Sequence, residues 1–222
     1  MSTMENKKAH IVIVDGASRS GKKLFGLELA ITLLYNDQKT ALLLSPDSPL
    51  CTIIENRNKS HPNLPTPNII YRHNFKTEYH NYDAIIIPGI DASDELAGFV
   101  DTYITLLSSS IRNFQKNNAY INNMWELKKK IASSHSKSLN WVICENNLKN
   151  KSTDTPSKEL INMAKMYGFR VAPPINKRIS YLNTLEGISS QDKITSSLKN
   201  ILTYEDICAK REITKLAEFI FK

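Results

Sequence analysis

Apolar and polar positions alternate along the chain in two recurring patterns. Residues His10 to Val14 (HIVIV) are an almost continuous apolar run, the pattern of a strand buried on both faces of a parallel sheet. From Leu24 the apolar residues recur at Leu27, Ala30, Ile31 and Leu34, the spacing of one helix face, until Asn36-Asp37 interrupts it. The polar, glycine-containing stretch Asp15 to Lys23 lies between, so the chain opens as strand, tight loop and helix. Further strands are predicted at Thr40–Leu44, Asn68–Arg72, Ala84–Ile87, Tyr103–Leu107, Trp141–Cys144 and Phe169–Ala172. Helices are predicted at Ile111–Ile131, at Pro156–Tyr167 with Thr155 as N-cap and Pro156 in the first turn, and at Asp206–Phe221. Residues Lys59–Pro67, His135–Ser138 and Lys149–Asp154 read as loops. Strands alternating with helices predict an α/β fold, a doubly wound, mostly parallel twisted sheet flanked by helices. No internal repeat or boundary divides it, so residues 1–222 read as a single domain with 1–9 as a flexible tail.

With 41% hydrophobic and 23% charged residues, the 222-residue chain is expected to bury one sizeable core, which excludes fibrous and wholly disordered classes. No apolar run approaches the roughly 20 residues of a membrane span, and no signal-peptide stretch precedes His10. Cys51, Cys144 and Cys208 are odd in number and far apart, the usage of a reducing cytoplasm. The net charge of +7 suits an anionic partner such as DNA, a nucleotide or a membrane surface. Only seven of the 29 basic residues are Arg, and the chain carries 21 Asn, so a compositional bias toward Lys and Asn explains part of that charge.

The sharpest chemical feature is Gly16-Ala17-Ser18-Arg19-Ser20-Gly21-Lys22-Lys23, between the first strand and the first helix. It matches G-x-x-x-x-G-K and departs at the next position. Glycines let backbone N–H groups turn inward around phosphates, a lysine reaches the outer phosphates, and a helix N-terminus favours anions. Gly16, Gly21 and Lys22 meet those needs, whereas Lys23 stands where a Ser or Thr hydroxyl would ligate Mg2+. An ammonium has no lone pair to give a cation. The competing reading is an ordinary strand-to-helix turn with a solvated basic pair.

Beyond the loop, LAITLLY (Leu29 to Tyr35), TALLL followed by Asp47 and Glu55-Asn56-Arg57, YINNMWELKKK (Tyr120 to Lys130), LNWVICENNL (Leu139 to Leu148), YGFRV (Tyr167 to Val171), RISY (Arg178 to Tyr181) and AKRE (Ala209 to Glu212) follow one another in order. By these landmarks the chain resembles the ParA/MinD class of P-loop ATPases, and within it the MipZ type that positions the division plane. The resemblance implies a deviant Walker A loop that begins with a signature lysine; here that position is Ala17, the next two glycines are Ser18 and Arg19, Ser20 fills the variable position, and the hydroxyl pair is Lys23 and Leu24. Of the acidic pair after the second strand only Asp47 survives, at the position implied to activate the attacking water. Pro88 falls where the family has a magnesium-holding Asp, and Asp91 or Asp94 would reach the site only through a shifted backbone. Asn146 or Asn147 corresponds to the family's adenine-side Asn, with Asn146 the preferred of the two, and the competing reading of either is a polar strand-end residue capping a loop.

The resemblance therefore implies an ATP-binding regulator of division-site placement, acting by FtsZ inhibition and association with the chromosome and a ParB-type protein. Hydrolysis is expected to be impaired, because the Mg2+ ligands and signature lysine are not found. Nonspecific DNA contact by a dimer would fall on Lys177, Arg178, Lys210 and Arg211, with Lys149 and Lys151 as further candidates. The alternative is a pseudo-ATPase that uses the fold as a protein- or DNA-binding surface without turnover. Cytoplasmic placement, on the nucleoid in the DNA-bound form, accompanies the first reading.

Overall fold

The computed structural model describes residues 8–16, 20–89, 98–108, 124–130, 139–148, 155–195 and 202–221, together with Leu96, Asn122 and Ser133. Its strands are β1 (His10–Gly16), β2 (Thr40–Leu44), β3 (Asn68–Tyr71), β4 (Ala84–Pro88), β5 (Thr102–Ser108), β6 (Asn140–Leu148), β7 (Arg170–Val171) and β8 (Ile175–Asn176). They form one sheet in the order β3-β2-β4-β1-β5-β6-β7, with β8 also paired to β6. Every described pairing is parallel. The helices are α1 (Lys22–Leu34), α2 (Pro49–Ser60), α3 (Phe75–Glu78), α4 (124–130), α5 (Lys158–Tyr167), α6 (Ile179–Leu182), α7 (Asp192–Thr195) and α8 (Tyr204–Phe221).

The unbroken apolar run of β1 follows from burial on both sides. Val12 and Val14 point into a core formed with Leu27 and Ile31 of α1 and Ile213, Leu216 and Ile220 of α8. Ile11 and Ile13 point the other way, into a core with Phe75, Met124, Leu160 and Ala164 of α3, α4 and α5. Helices thus cover both faces, as the alternating pattern predicts. β1 sits between β4 and β5, and successive strands are added to either side of it. Its carboxyl end is the switch point where ligands of such sheets bind, and Gly16 lies there.

Several boundaries differ from the sequence reading. β3 stops at Tyr71 because Arg72–Asn74 curl into a 3-10 turn. β6 runs on to Leu148 because β8 pairs with its far half, Asn146 opposite Ile175 and Leu148 opposite Asn176. The strand expected at Phe169–Ala172 shortens to Arg170–Val171. α2 occupies Pro49–Ser60, so the loop expected from Lys59 begins at His61. α5 is capped by Ser157, whose hydroxyl accepts from the Leu160 amide, and Thr155 and Pro156 precede it. α8 starts two residues early, at Tyr204. Ala9, expected within a flexible tail, is buried against the sheet. Of the long helix predicted over Ile111–Ile131, 124–130 is helical; residues 111–121, 123 and 131, and the loops His135–Ser138 and Lys149–Asp154, lie outside the described residues. Among the described residues no helix is long and apolar enough to cross a membrane.

Candidate functional site

β1 ends and α1 begins around the glycine-containing loop, of which Gly16 and Ser20 to Lys23 are described and Ala17, Ser18 and Arg19 lie outside the described residues. Gly21 is the N-cap of α1 in the left-handed conformation (φ 84°), and no side chain caps the helix. The other long capped helices differ: Ser48 caps α2 and Ser157 caps α5, which also carries Glu159 in its first turn. α1 instead opens with two lysines and no acid, the wrong charge for its own dipole. An anion at that end would offset both features.

The cradle is tight. A Cβ on Gly16 would lie 2.5 Å from Ser20 Oγ and 2.7 Å from the Leu106 carbonyl oxygen, so only glycine fits. Ser20 is 1% exposed and its hydroxyl has no hydrogen-bond partner among the described residues. Lys22 folds across the loop and donates from Nζ to the Gly16 carbonyl at 2.8 Å. Its stem lies against Gly89, just past β4, where an added Cβ would come within 3.0 Å of Lys22 Cε. The lysine therefore spans the ends of β1 and β4.

Beside the cradle, at the ends of β6 and β8, is a cavity of about 180 Å³ whose walls include Gly21, Leu24, Asn146, Ile175, Arg178 and Tyr181. It is smaller than the roughly 300–1,000 Å³ of a whole small-molecule site, room for no more than one portion of such a ligand. The remainder would extend past Gly21 toward the loop. Asn146 joins the two parts: its amide Nδ2 donates to the Ser20 carbonyl at 2.6 Å, and the residue is buried.

The far wall of the cavity, which includes Ile175 to Leu182, and the segment that follows it to residue 195 are anchored by buried acids. Glu212 of α8 accepts from Asn176 Nδ2 at 2.7 Å, Arg178 Nε at 3.0 Å and the Tyr181 hydroxyl at 3.2 Å. Asp206 accepts from Ser180 Oγ at 2.8 Å and Lys193 Nζ at 2.9 Å. Glu28 of α1 accepts from the Thr184 hydroxyl and from Ser190 Oγ at 2.6 Å. Burial pushes the Glu28 carboxyl up to about 7 despite these hydrogen bonds. Asp192 receives both terminal nitrogens of Arg57, at 2.5 and 2.8 Å. Such satisfied buried charges hold geometry, because losing one partner strands the other.

The structure therefore brings Gly16, Ser20, Gly21, Lys22 and Asn146 together at one place. Lys23 and Asp47 are exposed on the β2 side of it. The Ser45 hydroxyl, the Asp47 amide and the Lys23 ammonium hold the Asp47 carboxyl below its ordinary range. Pro88, the last residue of β4, is in register with Val14 and offers no oxygen at its side chain. Asp91 and Asp94 lie outside the described residues, and among the described residues no cluster of three His, Cys, Asp or Glu could hold a metal ion. Arg178 and Arg211 act on Tyr204 from nearby, and Lys177 and Arg211 are exposed. Arg178, expected on an open basic face, is turned inward to Glu212 because that buried carboxylate needs a cation. Lys210 is half-buried, and Lys149 and Lys151 lie outside the described residues. The sequence reading missed Glu28, Arg57, Asp192, Asp206 and Glu212, whose partners are distant along the chain.

The family model described as ATPase MipZ matches residues 73–220, two-thirds of the chain and all of it downstream of the loop. Comparison with curated protein sequences finds no match. Among solved structures, a McdA–ATP complex from Cyanothece superposes with a TM-score of 0.64 at 14% identity, covering 96% of this chain and 97% of that one. A putative plasmid partition protein from Borrelia burgdorferi bound to AMPPNP gives 0.60 at 17% identity, with 97% and 98% covered. MinD cell division protein from Aquifex aeolicus gives 0.61 at 12% identity, with 96% and 97% covered. These likenesses establish the fold, that of partition and division ATPases. Taken with the match over residues 73–220, they place the chain in the ATPase MipZ family.

Proposed function

We propose that the chain binds ATP, with the base in the cavity beside Asn146 and the phosphates over Gly16, Ser20, Gly21, Lys22 and Lys23. The observation that carries this reading is the buried Ser20 hydroxyl, unpartnered among the described residues, inside a glycine cradle at the uncapped N-terminus of α1. A buried hydroxyl without a partner is costly, and a phosphate oxygen would supply the acceptor. The mostly apolar cavity, with the Asn146 amide at its edge, suits a flat heterocycle. Lys22 would leave the Gly16 carbonyl for the outer phosphates.

In keeping with the family, the chain then acts in division-site placement. As a nucleotide-dependent dimer it would associate with the chromosome and a ParB-type protein and restrain FtsZ assembly. Lys177, Lys210 and Arg211 would contribute to DNA contact, with Arg178 supporting that face through Glu212. Hydrolysis is slow in this reading. Asp47 remains to orient water, but the magnesium-binding hydroxyl and strand-end carboxylate are replaced by Lys23 and Pro88. Among the described residues, those at the loop and the β4 end do not fit Mg2+. Those same replacements favour the second reading, a pseudo-ATPase that binds its partners without turnover.

Titration calorimetry with ATP, followed by phosphate release at high protein concentration, separates these readings. Saturable binding that Lys22→Ala abolishes supports the site, and no binding overturns it. Measurable release dependent on Asp47 favours the slow ATPase, and none favours the pseudo-enzyme.

A further inference from the structure

We infer that the cradle takes a nucleoside triphosphate without a divalent cation, the Lys23 ammonium supplying charge where the ordinary loop recruits magnesium; this rests on the nucleotide reading above. A phosphate loop normally pairs one lysine with a metal ion held by the hydroxyl of the next residue and by a carboxylate from a neighbouring strand. Here the next residue is Lys23, and β4 ends at Pro88 in register with Val14. Neither can ligate a metal, and an ammonium in that place repels one.

Lys23 restores part of the lost charge, beside the lysine and helix terminus that the ordinary loop also has. Lys22 and Lys23 are the first two residues of α1, whose N-terminus adds about half a positive charge, and no acid in the first turn offsets them. Ser20, 1% exposed and without a hydrogen-bond partner among the described residues, is an independent sign that an anion's acceptor atom belongs in the cradle. Gly16 is the only residue that the cradle admits beside it, since any Cβ would press on Ser20 Oγ. Asp47 is the carboxylate within electrostatic reach of Lys23, and both groups are exposed. Water screens that attraction, so a multiply charged phosphate chain competes for Lys23 effectively. Asp47, facing a lysine, is correspondingly a poor partner for a cation.

The consequence is an inverted metal dependence. A magnesium–ATP complex carries less negative charge than free ATP and brings its ion toward Lys23, so magnesium weakens binding. Titration calorimetry of the full chain with ATP, in EDTA and in excess MgCl2, reads this directly. Affinity in EDTA is expected to exceed that in magnesium. Lys23→Gln is expected to weaken binding in EDTA at least tenfold. Lys23→Ser, which restores a hydroxyl, is expected to bind tighter in magnesium than in EDTA. Lys23 is exposed, and circular dichroism checks that both variants keep the fold.

Wild-type binding that is as tight or tighter in magnesium overturns the inference and leaves the ATP site standing. So does a Lys23→Gln variant with unchanged affinity in EDTA. No binding of ATP in either buffer overturns the nucleotide reading and the inference together.

Discussion

Arg57 and Asp192 form a two-point ion pair inside the protein, with both side chains almost inaccessible to water. The arginine also donates to the Gly187 and Pro65 carbonyls, so one guanidinium joins α2, the loop after it and the segment that follows the cavity wall. Asp192→Ala leaves that charge buried and unpaired, which costs about 3–5 kcal/mol and lowers the melting temperature by roughly 10 °C. The double variant Arg57→Met, Asp192→Leu is expected to lose far less. Burial alone would raise the Asp192 carboxyl, but Arg57 and the Tyr35 hydroxyl hold it below its ordinary range. The contribution is therefore present above the unfolded value near 3.8 and fades as acid protonates the folded carboxylate. Thermal melts across pH 2–5 check the sign.

Glu28 titrates in the opposite sense. Its folded value of about 7 exceeds the ordinary 4.5, so the folded state holds a proton that the unfolded chain releases. Stability conferred by this group is complete below pH 4.5, declines as pH rises and is gone above 7. The decline amounts to roughly 3 kcal/mol. Glu28→Gln should flatten the curve of denaturation midpoint against pH between 5 and 8, and an unchanged slope would assign the dependence elsewhere.

Gly16 and Gly168 offer a paired test of the cradle. Gly16→Ala forces its methyl onto Ser20 Oγ and the Leu106 carbonyl, overpacking that costs about 1–3 kcal/mol. ATP affinity should fall at least tenfold. Gly168 closes α5 at φ 64° with only Lys128 near its missing Cβ. Gly168→Ala should cost about 1–2 kcal/mol of stability and leave ATP affinity unchanged. Equal affinities for the two variants would dissociate the glycine loop from the ligand.

Asn146 tests the link between cavity and loop. Asn146→Ala removes the donor to the Ser20 carbonyl and should cost about 1 kcal/mol. Asn146→Asp places a carboxylate against that carbonyl, and its cost should reach about 3 kcal/mol with weaker ATP binding. Chemical denaturation and calorimetry measure the two effects separately.

Much of this architecture is legible in the chain because β1, β2 and α1 carry apolar residues at the periods of their own geometry. α2 escapes notice because its inward face includes Arg57, which a polarity pattern places outside. The Ser48-Pro49 start signal is present in the sequence and would have located it. β8 has two residues and exists only by pairing with β6, so no periodicity can reveal it. The N-cap of α5 shifts from Thr155 to Ser157 because Glu145 of β6 accepts hydrogen bonds from the Ser157 amide and hydroxyl, a tertiary contact. The cradle was readable from its glycines and lysine. The acids that fix the cavity wall and the segment after it were not, since Glu28 meets Thr184 and Ser190 more than 150 positions away.

His10, the first residue of β1, rests against Phe221 of the last helix with ring centroids 4.7 Å apart. Gly16 stands at the other end of that strand, about 20 Å away at the usual rise per residue. The first strand and the last helix are thus tied together at the edge opposite the cradle. A fluorescent dye attached at exposed position 218, in the last turn of α8, leaves the ligand entrance clear and makes the protein suitable for optical binding assays.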